Sequence, residues 1–223
     1  MPPSNPALRD QIVQAARLLF RAGVMSHSGH ANLSARLPGG DRMLLTARGQ
    51  VADLTPDDLA VVSFDGDVLE GEMDAVAREI IGMHACVYRA RPGAGGVIHT
   101  HSPRATVFAV AHQPLPCVYE AFLRFGITDD IPVAAWAPRG SPESIAAIQE
   151  RLEQCPTTPA VLLANHGLLA AGADPLHAAQ IVIAMEEAAD LTLHARQIGG
   201  ERPFPAGALA RERAHMARFG SSG

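Results

Sequence analysis

At 223 residues the chain is long enough to bury a core of ordinary domain size, and 48% hydrophobic against 18% charged residues excludes a disordered sequence. Eighteen basic and 23 acidic residues give a net charge of −5 with no basic run or basic helix face, which argues against nucleic acid and against a membrane surface as partner. Cys86, Cys117 and Cys155 are too scattered for a disulfide framework or a cysteine metal site, no apolar run is long enough for a bilayer, and the start lacks the features of a secretory signal, so a cytoplasmic protein is expected.

Leu8, Ile12, Ala15, Ala16, Leu19 and Phe20 recur at helical spacing, and Gly23 closes that helix. The polar stretch Ser26 to Ser34 reads as a loop. Met43 to Thr46 reads as a strand, and the segments on either side of Asp65-Gly66 as a hairpin. Val76, Ile80, Met83 and Val87 mark a helix from Asp74 to about Arg91, stopped by Pro92-Gly93. Gly96 to His101 is a strand running into Ser102-Pro103, followed by a short helix over Ala105 to Ala111.

Ile131 to Trp136 is strand-like. Ser141-Pro142-Glu143 is a helix start, with a capping hydroxyl, a proline in the first turn and an acid near the positive end of the helix dipole. Ala160 to Ala164 is a buried strand that breaks at Asn165-His166-Gly167, and Asp174-Pro175 opens the longest helix. The pattern predicts a single α/β domain over 1–223, with a core of about 8–199, helices on both faces of a mixed sheet, and a tail of 200–223 that packs loosely or on a neighbouring subunit.

Ten histidines are many for this length. His99 and His101 are two apart on a strand, so their rings project from the same face, as two ligands of one metal require. Two surface histidines on a half-exposed strand are the alternative. His166 follows a buried strand and precedes a glycine, a position from which it could complete a three-histidine site with an open coordination position. Alone, it reads rather as a core histidine bonded to a carbonyl. Asn32 could orient a substrate anion or serve as a turn residue. Glu79 could be a fourth ligand or a general acid/base, or a solvated helix carboxylate.

These segments together resemble the class II aldolase/adducin family over about Leu8 to Gly199. The matching residues are Gly29 with Asn32-Leu33-Ser34-Ala35-Arg36, Leu45-Thr46-Ala47-Arg48-Gly49, His84 to Pro92 ahead of Val97 to Ser102, and Leu162 to Leu168 ahead of a helix with Glu186-Glu187-Ala188. The resemblance implies a three-layer αβα fold with a central mixed, largely antiparallel sheet, assembled as a homotetramer with active sites near subunit boundaries. It also implies a divalent cation, zinc or manganese with cobalt as an option, held by His99, His101 and His166. It carries Asn32, Ser34, Arg48 and Gly49 over as substrate-binding residues. Tyr119, with Glu120 beside it, falls where the family's aldolases place an active-site tyrosine.

Departures from the family pattern set the expected substrate. Sugar-phosphate aldolases carry Ser-Ser-Glu with the glutamate four residues before the first helix histidine. Four before His84 is Ile80, and Glu79 is shifted by about 100° around the helix. The phosphate-binding serines fall near Ala77 and Arg78, and the corresponding threonine on Arg48. An arginine pairs bidentately with a carboxylate, and His30 adds an ionisable ring to the first loop. The leading expectation is therefore a metal-dependent decarboxylase of a small hydroxylated aromatic or heteroaromatic (di)carboxylate, an anionic small molecule, with His30 or Glu79 returning a proton to carbon. The alternatives are an aldolase, epimerase or dehydratase acting on a sugar or its phosphate, and a non-catalytic adducin-like binding domain.

Overall fold

In a computed structural model, which describes residues 4–219, side-chain alternation along the strands divides the interior into two cores. Met43, Leu44 and Leu45 are all fully buried, yet Leu44 packs in one core while Met43 and Leu45 pack in the other. Val97 and Ile98 divide in the same way.

The elements in chain order are α1 (Pro6–Arg21), β1 (Ala31–Arg36), β2 (Arg42–Thr46), β3 (Leu59–Ser63), β4 (Val68–Glu70), α2 (Ala75–Arg78), α3 (Ile81–Ala90), β5 (Gly96–Thr100) and α4 (Pro103–Ala111). They continue with β6 (Val133–Ala134), α5 (Pro142–Gln154), β7 (Ala160–Leu163), β8 (Gly167–Gly172), α6 (Pro175–Gln197) and α7 (Ala208–Phe219). The strands form one sheet in the order β4-β3-β2-β1-β5-β8-β7-β6, antiparallel throughout except for the parallel pair β6–β7. Helices α1, α4 and α6 cover one face, and α3 and α5 the other. This is the expected three-layer mixed fold.

Local chemistry sets the helix starts. Ser141 accepts a hydrogen bond from the Ser144 backbone N–H, and Asp174 accepts one from that of His177, each ahead of a proline in the first turn. The long α6 packs on α1, α4, β5 and β8, so it backs the central strands.

Four elements differ from the sequence pattern. The stretch read as a loop runs from Ala31 into β1, at the centre of the sheet. Ser34 is buried and bonded within the core, which local polarity cannot reveal. The helix expected from Asp74 is broken at Glu79–Ile80, where the Ile80 N–H bonds back to the Ala77 carbonyl at 3.3 Å in a tighter turn. The strand expected over Ile131 to Trp136 contracts to β6. Pro132 offers no N–H to a ladder, and Trp136 stands exposed beyond it. In the tail, Phe204 and Leu209 are partly buried against the core that contains α1, α4 and α6 rather than lying loose. Among the described residues no helix is long and apolar enough to cross a membrane.

Candidate active site

The end of β5 carries His99 and His101. His99 lies opposite Asn32 of β1 and Leu169 of β8 in register, on the face covered by α3 and α5. His166 sits in the turn between β7 and β8, after Asn165, which adopts a left-handed conformation at φ 56°. The next residue has to be glycine. A Cβ on Gly167 would lie 2.4 Å from the Thr100 carbonyl oxygen and 2.9 Å from His101 Cδ2. Gly167 thus lets β8 start against the end of β5 and delivers His166 to the other two rings.

The three rings converge. Their centroids are 4.6, 4.9 and 5.0 Å apart, and one ligand nitrogen from each lies within 4.8 Å of the others. His99 Nε2 and His101 Nε2 are 3.1 Å apart, against about 3.3 Å for two nitrogens on a tetrahedral zinc. His99, 4% exposed, donates from Nδ1 to the Leu168 carbonyl at 2.8 Å, which leaves the Nε2 lone pair facing its neighbours.

Electrostatics favour neutral rings. Burial, followed by the His166 and His101 charges, holds the His99 pKa well below the usual histidine value. Burial, then His101 and Arg139, brings His166 down to about 4, and burial, then His30 and Arg139, lowers His101. Neutral imidazoles with aimed lone pairs are the donor set a divalent cation needs, so these residues fit the group. Among the described residues this ligand cluster contains no carboxylate.

The triad opens into a cleft of about 650 Å3. His30, Asn32, Arg48 and Gly49 line it, together with Ser28, Gln50, Asp74 and Arg139; Val76, Ala77, Ile80 and Met83 form an apolar wall. His30 Nδ1 is 3.0 Å from the Ser28 carbonyl, so the proton sits there and Nε2 is free to exchange one. Gly49 makes room for that ring, since a Cβ there would lie 3.0 Å from His30 Cδ2. Asn32 Oδ1 is buried and accepts no hydrogen bond among the described residues. Arg48 is loosely paired with Asp58 at 3.5 Å, whereas Arg139 donates from Nε to Glu79 Oε2 at 3.1 Å.

Four residues singled out in the sequence lie elsewhere. Ser34 is fully buried, 2.7 Å from His84 Nδ1 and 2.8 Å from the Tyr88 hydroxyl, and it joins sheet to α3 instead of lining the cleft. Glu79 ends α2 and turns to Arg139, leaving Ile80 at the cleft. Tyr119 packs against the core on the opposite face of the sheet, and Glu120 opens a short helical turn beside Arg124. The sequence reading missed Arg139, Gln50, Ser28 and Asp74. Arg139, Gln50 and Ser28 stand in irregular segments without periodicity, and Asp74 reads in the sequence only as a helix start. The one available signal was the position of Ser28 and Gln50 next to residues already selected.

Residues 10–193 match the family described as class II aldolase and adducin N-terminal domain. The chain belongs to this family. The class II aldolase and adducin relatives include a 5-methylthioribulose-1-phosphate/5-deoxyribulose-1-phosphate aldolase of Rhodospirillum rubrum, 31% identical over 95% of this chain and 91% of that protein. A 3-oxo-tetronate 4-phosphate decarboxylase of Escherichia coli is 28% identical over 89% of this chain and 90% of that protein. Among solved structures, an L-fuculose 1-phosphate aldolase superposes with a TM-score of 0.85 at 26% identity, covering 96% of this chain and 98% of the other.

The activities named are lyase activities, and this class II aldolase family member is an enzyme of that class. Aldolase-named and decarboxylase-named relatives stand similarly near. Each of these three names carries a phosphorylated compound and none an aromatic acid, so the hydroxy-aromatic substrate expected from the sequence finds no support in them.

Proposed function

We propose that this chain is a divalent-metal-dependent carbon–carbon lyase that decarboxylates a small, acyclic, phosphorylated oxo acid. The observation that carries the metal-dependent reading is the convergence of three neutral imidazoles at the mouth of β5. His99, His101 and His166 would hold zinc, manganese or cobalt, all of which imidazole accepts. Once bound there, the cation supplies a Lewis acid for a substrate oxygen next to the breaking bond.

The chain's own residues supply binding and proton transfer. Arg48, exposed at the rim beside Gly49, binds the phosphate in place of the carboxylate expected from the sequence, since a guanidinium pairs bidentately with either. Asn32 offers its amide to a substrate hydroxyl. As the bond to the carboxyl carbon breaks, its electron pair stays with the substrate and carbon dioxide leaves. His30, having taken up a proton at Nε2, then delivers it to that carbon. Decarboxylation is favoured over aldol cleavage because loss of carbon dioxide requires no base, and the position four before His84 holds Ile80, without a carboxylate. Two features favour aldol cleavage as a second reading: the identity to the Rhodospirillum rubrum aldolase and the free Nε2 of His30 as a base.

The assembly we propose is a cytoplasmic homotetramer, in which Tyr119 and Glu120, turned away from their own cleft, are placed to serve a neighbour's. The test is to assay zinc- and manganese-loaded protein for carbon dioxide release from 3-oxo-tetronate 4-phosphate and for aldehyde release from 5-deoxyribulose 1-phosphate. The decarboxylase reading expects carbon dioxide alone; aldehyde alone would overturn it in favour of the second reading.

A further inference from the structure

The cleft contains two guanidinium groups in different settings. Arg48 stands at its outer rim, with 67% of its side chain exposed and its nearest acid, Asp58, already engaged by Thr55. Arg139 follows β6 on an irregular segment and reaches the same cleft beside the histidines. Arg139 lines the cleft together with the three histidines and is the less exposed of the two guanidiniums, at 50% against 67%. With the phosphate at Arg48, Arg139 is the second cation that an anionic substrate can reach.

The surroundings of Arg139 limit what it can recognise. Val76, Ala77, Ile80 and Met83 form the apolar side of the cleft. The carboxylate paired with Arg139 is Glu79, and both side chains are about half exposed, at 50% and 47%. An ion pair so exposed is weak and exchangeable. Gly140, at φ 75°, packs its backbone onto Glu79, where a Cβ would lie 2.8 Å from Glu79 Cβ, so the segment that carries Arg139 is seated on the residue that pairs with it.

We infer that Arg139 is the specificity-determining residue of the cleft: it binds a carboxylate at the substrate end remote from the phosphate and rejects neutral sugar phosphates, with Glu79 as the internal carboxylate that a substrate displaces. The substrate class is then a sugar-acid phosphate with one anion at Arg48 and the other at Arg139. The inference deepens the proposed function and rests on its placement of the phosphate, but not on which bond is cleaved.

The experiment is calorimetric binding to the zinc-loaded full chain of 4-phosphoerythronate and of erythritol 4-phosphate, which share length and phosphate and differ in a terminal carboxylate. The wild-type chain is expected to prefer the acid by roughly 10- to 100-fold, the range of a charge-assisted bidentate pair. Arg139→Ala should abolish that preference while leaving polyol affinity and zinc content unchanged, and Arg139→Lys should retain part of it. Glu79→Gln should strengthen acid binding alone, by roughly two- to fivefold. Equal wild-type affinity for the two ligands, or an Arg139→Ala variant that keeps the preference or weakens both ligands alike, overturns the inference. Turnover is not part of this readout. A protein that binds the acid through Arg139 yet releases no carbon dioxide keeps the inference and loses the decarboxylase reading.

Discussion

The two sides of the cleft are built on different principles. The histidine side stands on strands: His99 is 4% exposed, in register with β1 and β8, and its ring is fixed by the Leu168 carbonyl. The arginine side stands on irregular segments, with Arg48 67% and Arg139 50% exposed and each in a solvent-exposed ion pair. The sheet thus preorganises the donor set, and on the proposed function the exposed side selects the substrate. Changes there alter specificity without disturbing the core.

The comparison can be broken most severely at the histidine side. His99→Ala should remove bound metal and reduce kcat/KM by about 1,000-fold, with far-ultraviolet circular dichroism unchanged. Elemental analysis that still found one metal per chain would reject the site. Gly167→Ala, which drives a Cβ onto the Thr100 carbonyl, should lower stability by about 1–3 kcal/mol in urea titration and weaken metal retention together.

The arginine side should respond differently. Arg48→Ala should raise KM for a phosphorylated substrate by about tenfold with the thermal midpoint unchanged, since a mostly exposed side chain contributes to binding and little to folding. A fall in stability as large as that of Gly167→Ala would erase the distinction between the two sides.

A further effect concerns pH. His84 is fully buried, and burial brings its pKa down to about 3. Between the ordinary histidine value of 6.5 and about 3 the unfolded chain binds a proton that the folded chain does not. Its contribution to stability is therefore complete above 6.5 and lost as pH falls through that window. Urea midpoints of metal-free protein should decline over that range, and His84→Gln should reduce the slope by up to one proton. The triad histidines, and the carboxylates of Asp58, Glu70 and Glu201, all held below their usual pKa values, should contribute to the remainder.

Much of the fold was legible because it is written in periodicity. The apolar spacing of α1 and the caps at Ser141 and Asp174 mark their helices directly. The pair His99 and His101 was legible because a strand puts alternate residues on one face. Ser34 misled, since its polarity is answered by His84 and Tyr88 from a helix some 50 residues away, a partnership no local window contains. Glu79 misled for a related reason. Its place on an unbroken helix was correct arithmetic for a helix that the structure interrupts at that residue.

The sequence by itself determined the layer architecture, the family resemblance and the residue types able to hold a cation, because burial periodicity and ordered motifs are local properties of the chain. The tertiary structure brings His166 to His99 and His101, as the family resemblance implies, and it alone decided that Ile80 rather than Glu79 faces the cleft and that Arg139 joins it. Those are relations between segments distant in the chain, set by strand register and by how irregular segments pack on the sheet, and no spacing within one segment encodes them.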